Sequence, residues 1–381
     1  MKRKQLFLLI AAIVAPQAYA EDVINLAPVV VTATKNEQNS FDLPVAIDVV
    51  EKEDIKNGQL QMLLSESLIR VPGITAQNRN NQAQDPQISS RGFGSRSAFG
   101  VRGIRVYVDG IPLTMPDGQG QPGIVDLSAI KSIEVMRGPF SALYGNSSGG
   151  VIQMLSDDAP ETLEVGGTVM FGSDDTKRQV LNAAGTSENI EYLLNVSNFE
   201  TDSYRDHGAG KKEAATAKFK INISEATKLT ALVNWFDQKA QDPLGLTRAI
   251  AFSEPTSAGV GAVASNTRVY RSHTQAGFNL SHAFSENNAI NLMTYVGTRE
   301  NEQYLSLPSA PPVNANGRAS EISRDFWGAD LRWDNNGKLL NRPYNISLGL
   351  NYGKSKDARR DINAVNGIKR PTNIPNNTNY G

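Results

Sequence analysis

The sequence predicts two regimes in one chain: a compact α+β unit, followed by antiparallel β-strands of the kind that cross a membrane as a β-barrel. Three observations predict this. Between Phe41 and Pro160 a helix-spaced apolar segment is interleaved with short strands and glycine-rich turns. After Pro160 apolar residues recur with period two in stretches of roughly ten residues, with Tyr and Trp near the ends. The connections between those stretches alternate between short and long, the habit of an outer-membrane barrel. A soluble β-sandwich would show the same alternation, so the loop asymmetry is what favours the barrel.

The bulk properties exclude several functions. Among 381 residues, 38 Lys+Arg face 39 Asp+Glu for a formal net charge of -1, so no polyelectrolyte field favours nucleic acid as a partner. There is no cysteine, and the three histidines, His207, His273 and His282, are scattered. Neither a disulfide framework nor a metal site is expected, and no cofactor is called for. The sequence carries no nucleophile elbow, no phosphate loop with its lysine and no clustered carboxylates. Catalytic residues are therefore not expected, and the protein is not read as an enzyme.

The elements run in order. Residues 1–20 read as a cleavable secretory signal: positive charge in Met1 to Gln5, a short apolar core, and Ala18-Tyr19-Ala20 before Glu21. Beyond them no run approaches the roughly 18 apolar residues of a spanning helix. Residues 21–40 are polar except for Pro28 to Thr34, a β-branched island that can add itself as a strand to an open sheet edge or serve as the first strand of the next domain. Residues 41–160 form the α+β unit. It contains a strand from Pro44 to Val50 and an amphipathic helix from Gln59 to Arg70, with Leu60, Leu63, Leu64 and Leu68 on one face and Pro72-Gly73 ending it. An Arg, Gly and Asn-rich segment from Asn78 to Arg105 leads into the strand Val106 to Val108, which turns at Asp109-Gly110. Asp117 to Gln121 forms a polar tip. The strand around Ile133 and Val135 then runs into a connector with Gly138, Gly145, Gly149 and Gly150, where strands double back too closely for side chains.

In residues 161–381 the alternation is explicit. Ala217, Phe219, Ile221 and Ile223 alternate with Lys218, Lys220 and Asn222; Leu229, Ala231, Val233 and Trp235 alternate with Thr230 and Asn234; Ile346, Leu348, Leu350 and Tyr352 alternate with Ser347, Gly349 and Asn351. Short turns at Ser224 to Ala226 and Ser285 to Asn287 contrast with long connections from Asp237 to Arg271 and from Ser306 to Ile322.

Four pieces in sequence order carry a family resemblance: the island Pro28 to Thr34, LSESLIRVPGI from Leu64 to Ile74, RGFGSR…GIRVYVDGIP from Arg91 to Pro112, and SIEVMRGPFSALYGNSSGGVIQM from Ser132 to Met154. Through them the chain resembles the TonB-dependent outer-membrane receptors of Gram-negative bacteria, in which a globular plug fills a barrel of roughly 22 strands. The resemblance implies an α+β plug domain at 41–160, a TonB-box segment at 21–40, and at 161–381 the N-terminal portion of the transmembrane barrel. About nine strands are expected there, too few to enclose such a plug, so the barrel in this chain is expected to be incomplete.

The resemblance also implies partners and sites. Val29, Val30, Val31, Thr32 and Ala33 would pair as a strand with periplasmic TonB, whose inner-membrane energising complex supplies the work, while the barrel wall meets outer-membrane lipid. Arg91 and Arg137 would be plug arginines that pair with acidic groups of the wall. Arg96, Arg102, Gln119 and Gln121 lie on turns expected at the outward tip, with Arg79 beside them, and guanidinium groups there suit an anionic ligand such as a polycarboxylate or an anionic metal chelate. Tyr204 to His207 is a further candidate in an extended loop. The runs NRNNQAQD, YRDHGAG and DPLGLTRA are most similar to a subgroup whose implied cargo is pyrroloquinoline quinone, with a ferric siderophore or ferric citrate as the alternative. Energy-coupled import is the implied function, and a secreted β-sandwich binding protein is the rival from another class.

Overall fold

The alternating segments form one continuous antiparallel wall, and the α+β unit packs against its inner face. The structure, a computed structural model, describes residues 30–31, 38–39, 46–97, 100–138, 141–145, 147–307, 316–370 and 377–380. The expected signal segment and Val29, Thr32 and Ala33 lie outside the described residues. The backbone of β1 (Val30–Val31) forms a two-residue antiparallel ladder with β2 (Gln38–Asn39).

The plug domain is assembled, in chain order, from β3 (Ala46–Val50), α1 (Lys52–Lys56), α2 (Leu64–Leu68), β4 (Ile74–Gln77), β5 (Gln87–Ser90), β6 (Val101–Arg102), β7 (Ile104–Val108), β8 (Ile111–Pro112), β9 (Gln119–Gly120), β10 (Ile130–Arg137), α3 (Ser141–Tyr144) and β11 (Gly150–Ser156). Five of these make its central sheet, in the order β3-β10-β11-β7-β8. Its strands are buried on both faces, with Ile133, Val135, Ile152, Met154 and Val106 in one core. This is why they read as apolar runs and not as a clean alternation.

The helix expected from Gln59 to Arg70 is only five residues long, Leu64–Leu68. The cause is Glu66, whose carboxylate accepts the backbone N–H groups of Gln61, Met62 and Leu63 at 2.8–3.0 Å. Those donors are satisfied outside a helix, and Gln61 adopts a φ of 59°, so the first turn cannot form and Leu60 is left exposed. The glycines of the β10–β11 connector behave as their density suggests. A Cβ on Gly150 would overlap the Met136 carbonyl oxygen, and one on Gly149 would lie 2.8–3.0 Å from Ile104, Phe93 and the Gly103 carbonyl.

The wall consists of β12 (Glu164–Phe171), β13 (Lys177–Ser187), β14 (Ile190–Thr201), β15 (Gly210–Ser224), β16 (Thr227–Gln241), β17 (Arg268–Ser285), β18 (Asn288–Ser306), β19 (Asn316–Leu339) and β20 (Arg342–Val365), with α4 (Arg248–Ser253) in the β16–β17 loop. Each of these strands pairs antiparallel with the next, and the short β21 (Ile368–Lys369) and β22 (Asn377–Tyr380) both pair with β20. Among the described residues β12 has no second partner, so the sheet is an unclosed arc. One end carries two-residue turns and the other the longer connections 202–209, 242–267 and 307–315. The strands reach 24 residues, well beyond the expected ten, because they continue through Gln241, Arg268 and Asn316 into what the sequence suggested were loops.

Burial on the wall is inverted relative to a water-soluble protein. Outward Phe219, Val233, Phe278, Val296, Leu331 and Leu348 are exposed, while inward Arg178, Lys212, Lys218, Gln275, Arg299 and Arg324 are buried. A sandwich would have buried the apolar face. Leaving each such side chain in water forfeits about 1.5–3 kcal/mol, and hydrocarbon against the outer face removes that cost. The inner face is polar except where the plug seats. There Leu232, Phe236, Met293, Tyr295 and Phe326 join the plug core, and Ile111 packs so closely on Gly277 that a Cβ would meet it at 2.5–3.0 Å.

Candidate functional site

At the end of the wall that carries the long connections, three plug segments converge under strands β17 to β20. The first, residues 78–87, is clamped by the wall. Asp242 accepts from Asn81 Nδ2 and Gln84 Nε2, each at 2.7 Å, Gln238 donates to the Gln82 carbonyl at 2.8 Å, and Arg271 donates to the Ala83 carbonyl at 2.7 Å and to Asp85 at 3.1 Å. The second and third are tied to one another. Arg102 stands opposite Gln119 in the β6–β9 ladder, and the Asp117 side chain accepts the Gln119 N–H at 3.0 Å to close the tip.

These segments and the wall enclose a cavity of about 550 Å³, the size of a small-molecule site. Among the described residues its lining holds eight arginines against four aspartates, and no lysine or aromatic side chain. Arg79, Arg96 and Arg102 come from the plug, and Arg271, Arg299, Arg318, Arg324 and Arg359 from the wall. Half are committed to carboxylates. Arg271 pairs with Asp85, Arg102 with Asp117, Arg359 with Asp361, and Arg324 with both Asp357 and Asp117. Burial alone would raise the Asp117 carboxyl, but the Gln119 N–H and the Arg324 and Arg102 guanidiniums outweigh it and hold it below the ordinary carboxylate range. The Oε1 atom of Gln121 is buried with no hydrogen-bond partner among the described residues. Each arginine carries five guanidinium donors in a planar fork, a geometry that matches oxyanions.

All five residues expected to contact ligand, Arg79, Arg96, Arg102, Gln119 and Gln121, line this cavity. The wall arginines were missed. Their signal was a cation at an inward-phase position of an alternating strand, as at Arg271 and Arg299, which only the strand register brings over the plug. Tyr204 to His207 does not line this cavity. Arg205 instead donates to the carbonyls of Pro243, Leu244 and Ser257, and His207 Nε2 meets the Thr267 carbonyl at 2.8 Å, so the pair braces the 242–267 loop.

Arg137 pairs with Asp48 and donates to the Pro72 carbonyl, both plug groups. Arg91, at a φ of 47°, has an exposed side chain, and its backbone N–H donates to the Gly73 carbonyl at 2.9 Å. Several buried plug–wall ties among the described residues instead join a wall cation to a plug acceptor, while Asp242 of the wall accepts from Asn81 and Gln84. Arg178 binds Asp126 at 2.8 Å, Lys212 donates to the Gly123 and Val125 carbonyls, and Lys218 reaches Ser156, the Asp157 carbonyl and Asp109. Among the described residues no group of three or more His, Cys, Asp or Glu is placed to hold a metal ion.

Comparison with known proteins agrees with this architecture. Residues 39–151 match the family model described as the TonB-dependent Receptor Plug Domain. The chain is 28% identical over 211 residues to the vitamin B12 transporter BtuB of Vibrio vulnificus, covering 54% of this chain and 33% of that protein. It is 32% identical over 228 residues to a hemin receptor of Yersinia pestis, covering 56% of this chain and 32% of that one. Among solved structures, unliganded ferric citrate transporter FecA superposes with a TM-score of 0.76 at 20% identity, over 93% of this chain and 55% of that one. The chain thus spans about a third of the length of these curated relatives, and the structural likeness speaks to the fold.

Proposed function

We propose that this chain, in which a TonB-dependent receptor plug domain precedes the strands of an outer-membrane barrel, works in the energy-coupled import of a small polyanionic ligand. The observation that carries the proposal is the arginine-rich chamber between plug and wall. Ligand enters from the side of the long connections, and guanidinium pairs hold it against the plug apex. The segment Val29 to Ala33 then adds as a strand to TonB, in the manner of sheet-edge recognition. A two-residue ladder at Val30–Val31 is a small obstacle to that exchange. TonB, driven from the inner membrane, supplies the work that displaces the plug.

The cargo class best matched is a polycarboxylate. Pyrroloquinoline quinone, implied by the motif resemblance, and ferric citrate, an anionic iron chelate, both belong to it. The ferric reading is favoured by the number of iron and siderophore receptors among the relatives. Haem is less well matched, because among the described residues the lining offers neither His nor Tyr as an axial ligand.

The test is uptake of labelled pyrroloquinoline quinone and ferric citrate by cells carrying the full receptor, with and without TonB. One of the two should accumulate only when TonB is present. A Val31→Pro variant, which removes a ladder N–H, should bind ligand normally and import none. Undiminished accumulation in cells lacking TonB would refute energy coupling, and binding of neither compound would refute the cargo class.

A further inference from the structure

The wall strands place one guanidinium where a folded protein gains nothing from it. Arg299 on β18 is only 7% exposed and lines the cavity. It stands directly across the ladder from Arg324 on β19, and its other cross-strand neighbour is His273 on β17. Like charges directly opposite each other destabilise a sheet. Arg324 is compensated twice over, by Asp357 and Asp117. For Arg299 no carboxylate lies within ion-pair distance among the described residues. The charges that act on it are Asp85 and Asp117 of the plug and Arg271 and Arg324 of the wall, and both acids are already paired to those other two arginines. An arginine stays protonated in proteins, so it cannot relieve its burial by losing the charge. An unpaired buried charge is costly, and here it faces an enclosed space with Arg324 directly opposite on β19 and Arg271 on β17 one inward-facing position along, opposite Asn301.

From this we infer that Arg299 is the inner anchor of the ligand: it takes a carboxylate of a small polycarboxylate, free or as a metal chelate, through paired N–H bonds, with Arg271 and Arg324 flanking the same group. The inference rests on the proposed import function and deepens it by naming the position at which one carboxylate is fixed. Arg79, Arg96 and Arg318 likewise have no ion pair among the described residues, and they line the remainder of the cavity. With Arg299 they give four uncommitted guanidiniums, a count that selects a ligand with several anionic groups over a monoacid.

The test is calorimetric titration of the full receptor in detergent micelles with pyrroloquinoline quinone, ferric citrate and acetate, comparing wild type with Arg299→Gln and Arg299→Lys. Whichever polycarboxylate the wild type binds should bind Arg299→Gln about 10- to 100-fold more weakly, the loss expected for a charged, paired hydrogen bond. Arg299→Lys should fall between the two, and acetate should not bind measurably. The ligand-free thermal midpoint of Arg299→Gln should equal or exceed that of wild type, because a like-charge pair is removed; a structural arginine would lower it. Wild-type affinity in Arg299→Gln, or a lowered midpoint that accounts for the loss, overturns the anchor and leaves the import function standing. Failure of the wild type to bind either polycarboxylate overturns the anchor together with the cargo class.

Discussion

Asp126 is the most heavily engaged tie between plug and wall, and its neutralisation has a calculable consequence. Its carboxylate accepts from Arg178 at 2.8 Å, from Asn195 at 3.1 Å and from Ser197 at 2.6 Å on the wall, and from the Ser128 N–H and hydroxyl on the plug. The side chains of Arg178 and Asp126 are 2% and 3% exposed. Asp126→Asn preserves the shape and removes the charge, which leaves Arg178 buried and unpaired. Breaking one side of such a pair costs about 3–5 kcal/mol. Read as a shift in the population of plugs released from the wall, that is on the order of a 100- to 5,000-fold increase. The assay is limited proteolysis of the plug in the full receptor, together with its thermal midpoint. Arg178→Met on top of Asp126→Asn should recover much of the loss, since an apolar replacement of a buried pair is often neutral. The pH dependence has a definite sign. Burial pushes the Asp126 carboxyl up, but Arg178, the Ser128 and Ser197 hydroxyls and Lys212 hold it below its ordinary value. Because the folded value is depressed, the stabilisation is fully present above the ordinary carboxylate range near pH 4 and is lost as pH falls through the lower folded value. Identical protease half-lives for Asp126→Asn and wild type at neutral pH would refute the reasoning.

Two further outcomes rest on the same geometry. Asp117→Asn frees Arg324 and Arg102 from an internal competitor; polycarboxylate affinity should rise about threefold to fivefold, the scale of a partly exposed ion pair, and unchanged or weaker binding by calorimetry would show that Asp117 does not compete with ligand. Leu348→Arg, in the middle of the exposed run Ile346 to Tyr352, should cost about 2–4 kcal/mol of stability in lipid vesicles, whereas an effect near zero in urea titration would mean that this face does not meet hydrocarbon.

Strand phase was legible because each wall residue has two contrasting environments. Lys218 must face the plug if Phe219 faces lipid, and alternation records that choice residue by residue. The plug tip was legible for a similar reason: arginines and glutamines concentrated among glycine turns have few uses other than contact with something outside the chain. The short α2 was not, because apolar spacing from Leu60 to Leu68 says helix while the competing event, Glu66 capturing three N–H groups, depends on where one carboxylate points. Nor were the wall arginines. An inward cation on an isolated strand could face water, plug or ligand, and only the pairing of Arg299 with Arg324, set by the register across β18 and β19, distinguishes the third case from the others.

The polarity of the plug–wall boundary bears on how holding and releasing can coexist. Wall cations meet plug acceptors at Arg178, Lys212, Lys218, Arg271 and Arg324. The first three contact the plug away from the cavity, where no ligand reaches, and they hold it whether or not cargo is present. The last two line the cavity, where Asp85 and Asp117 occupy guanidinium positions that a ligand carboxylate can also occupy. An anion entering there competes with the plug for the same donors, so binding weakens the ties at the apex alone. Under the proposed import function, the remaining ties are left for force from the TonB side to break. Binding and transport are then separable, and the separation predicts opposite phenotypes for the two sets: loss of Asp117 should sharpen binding, while loss of Asp126 should loosen the plug without touching affinity.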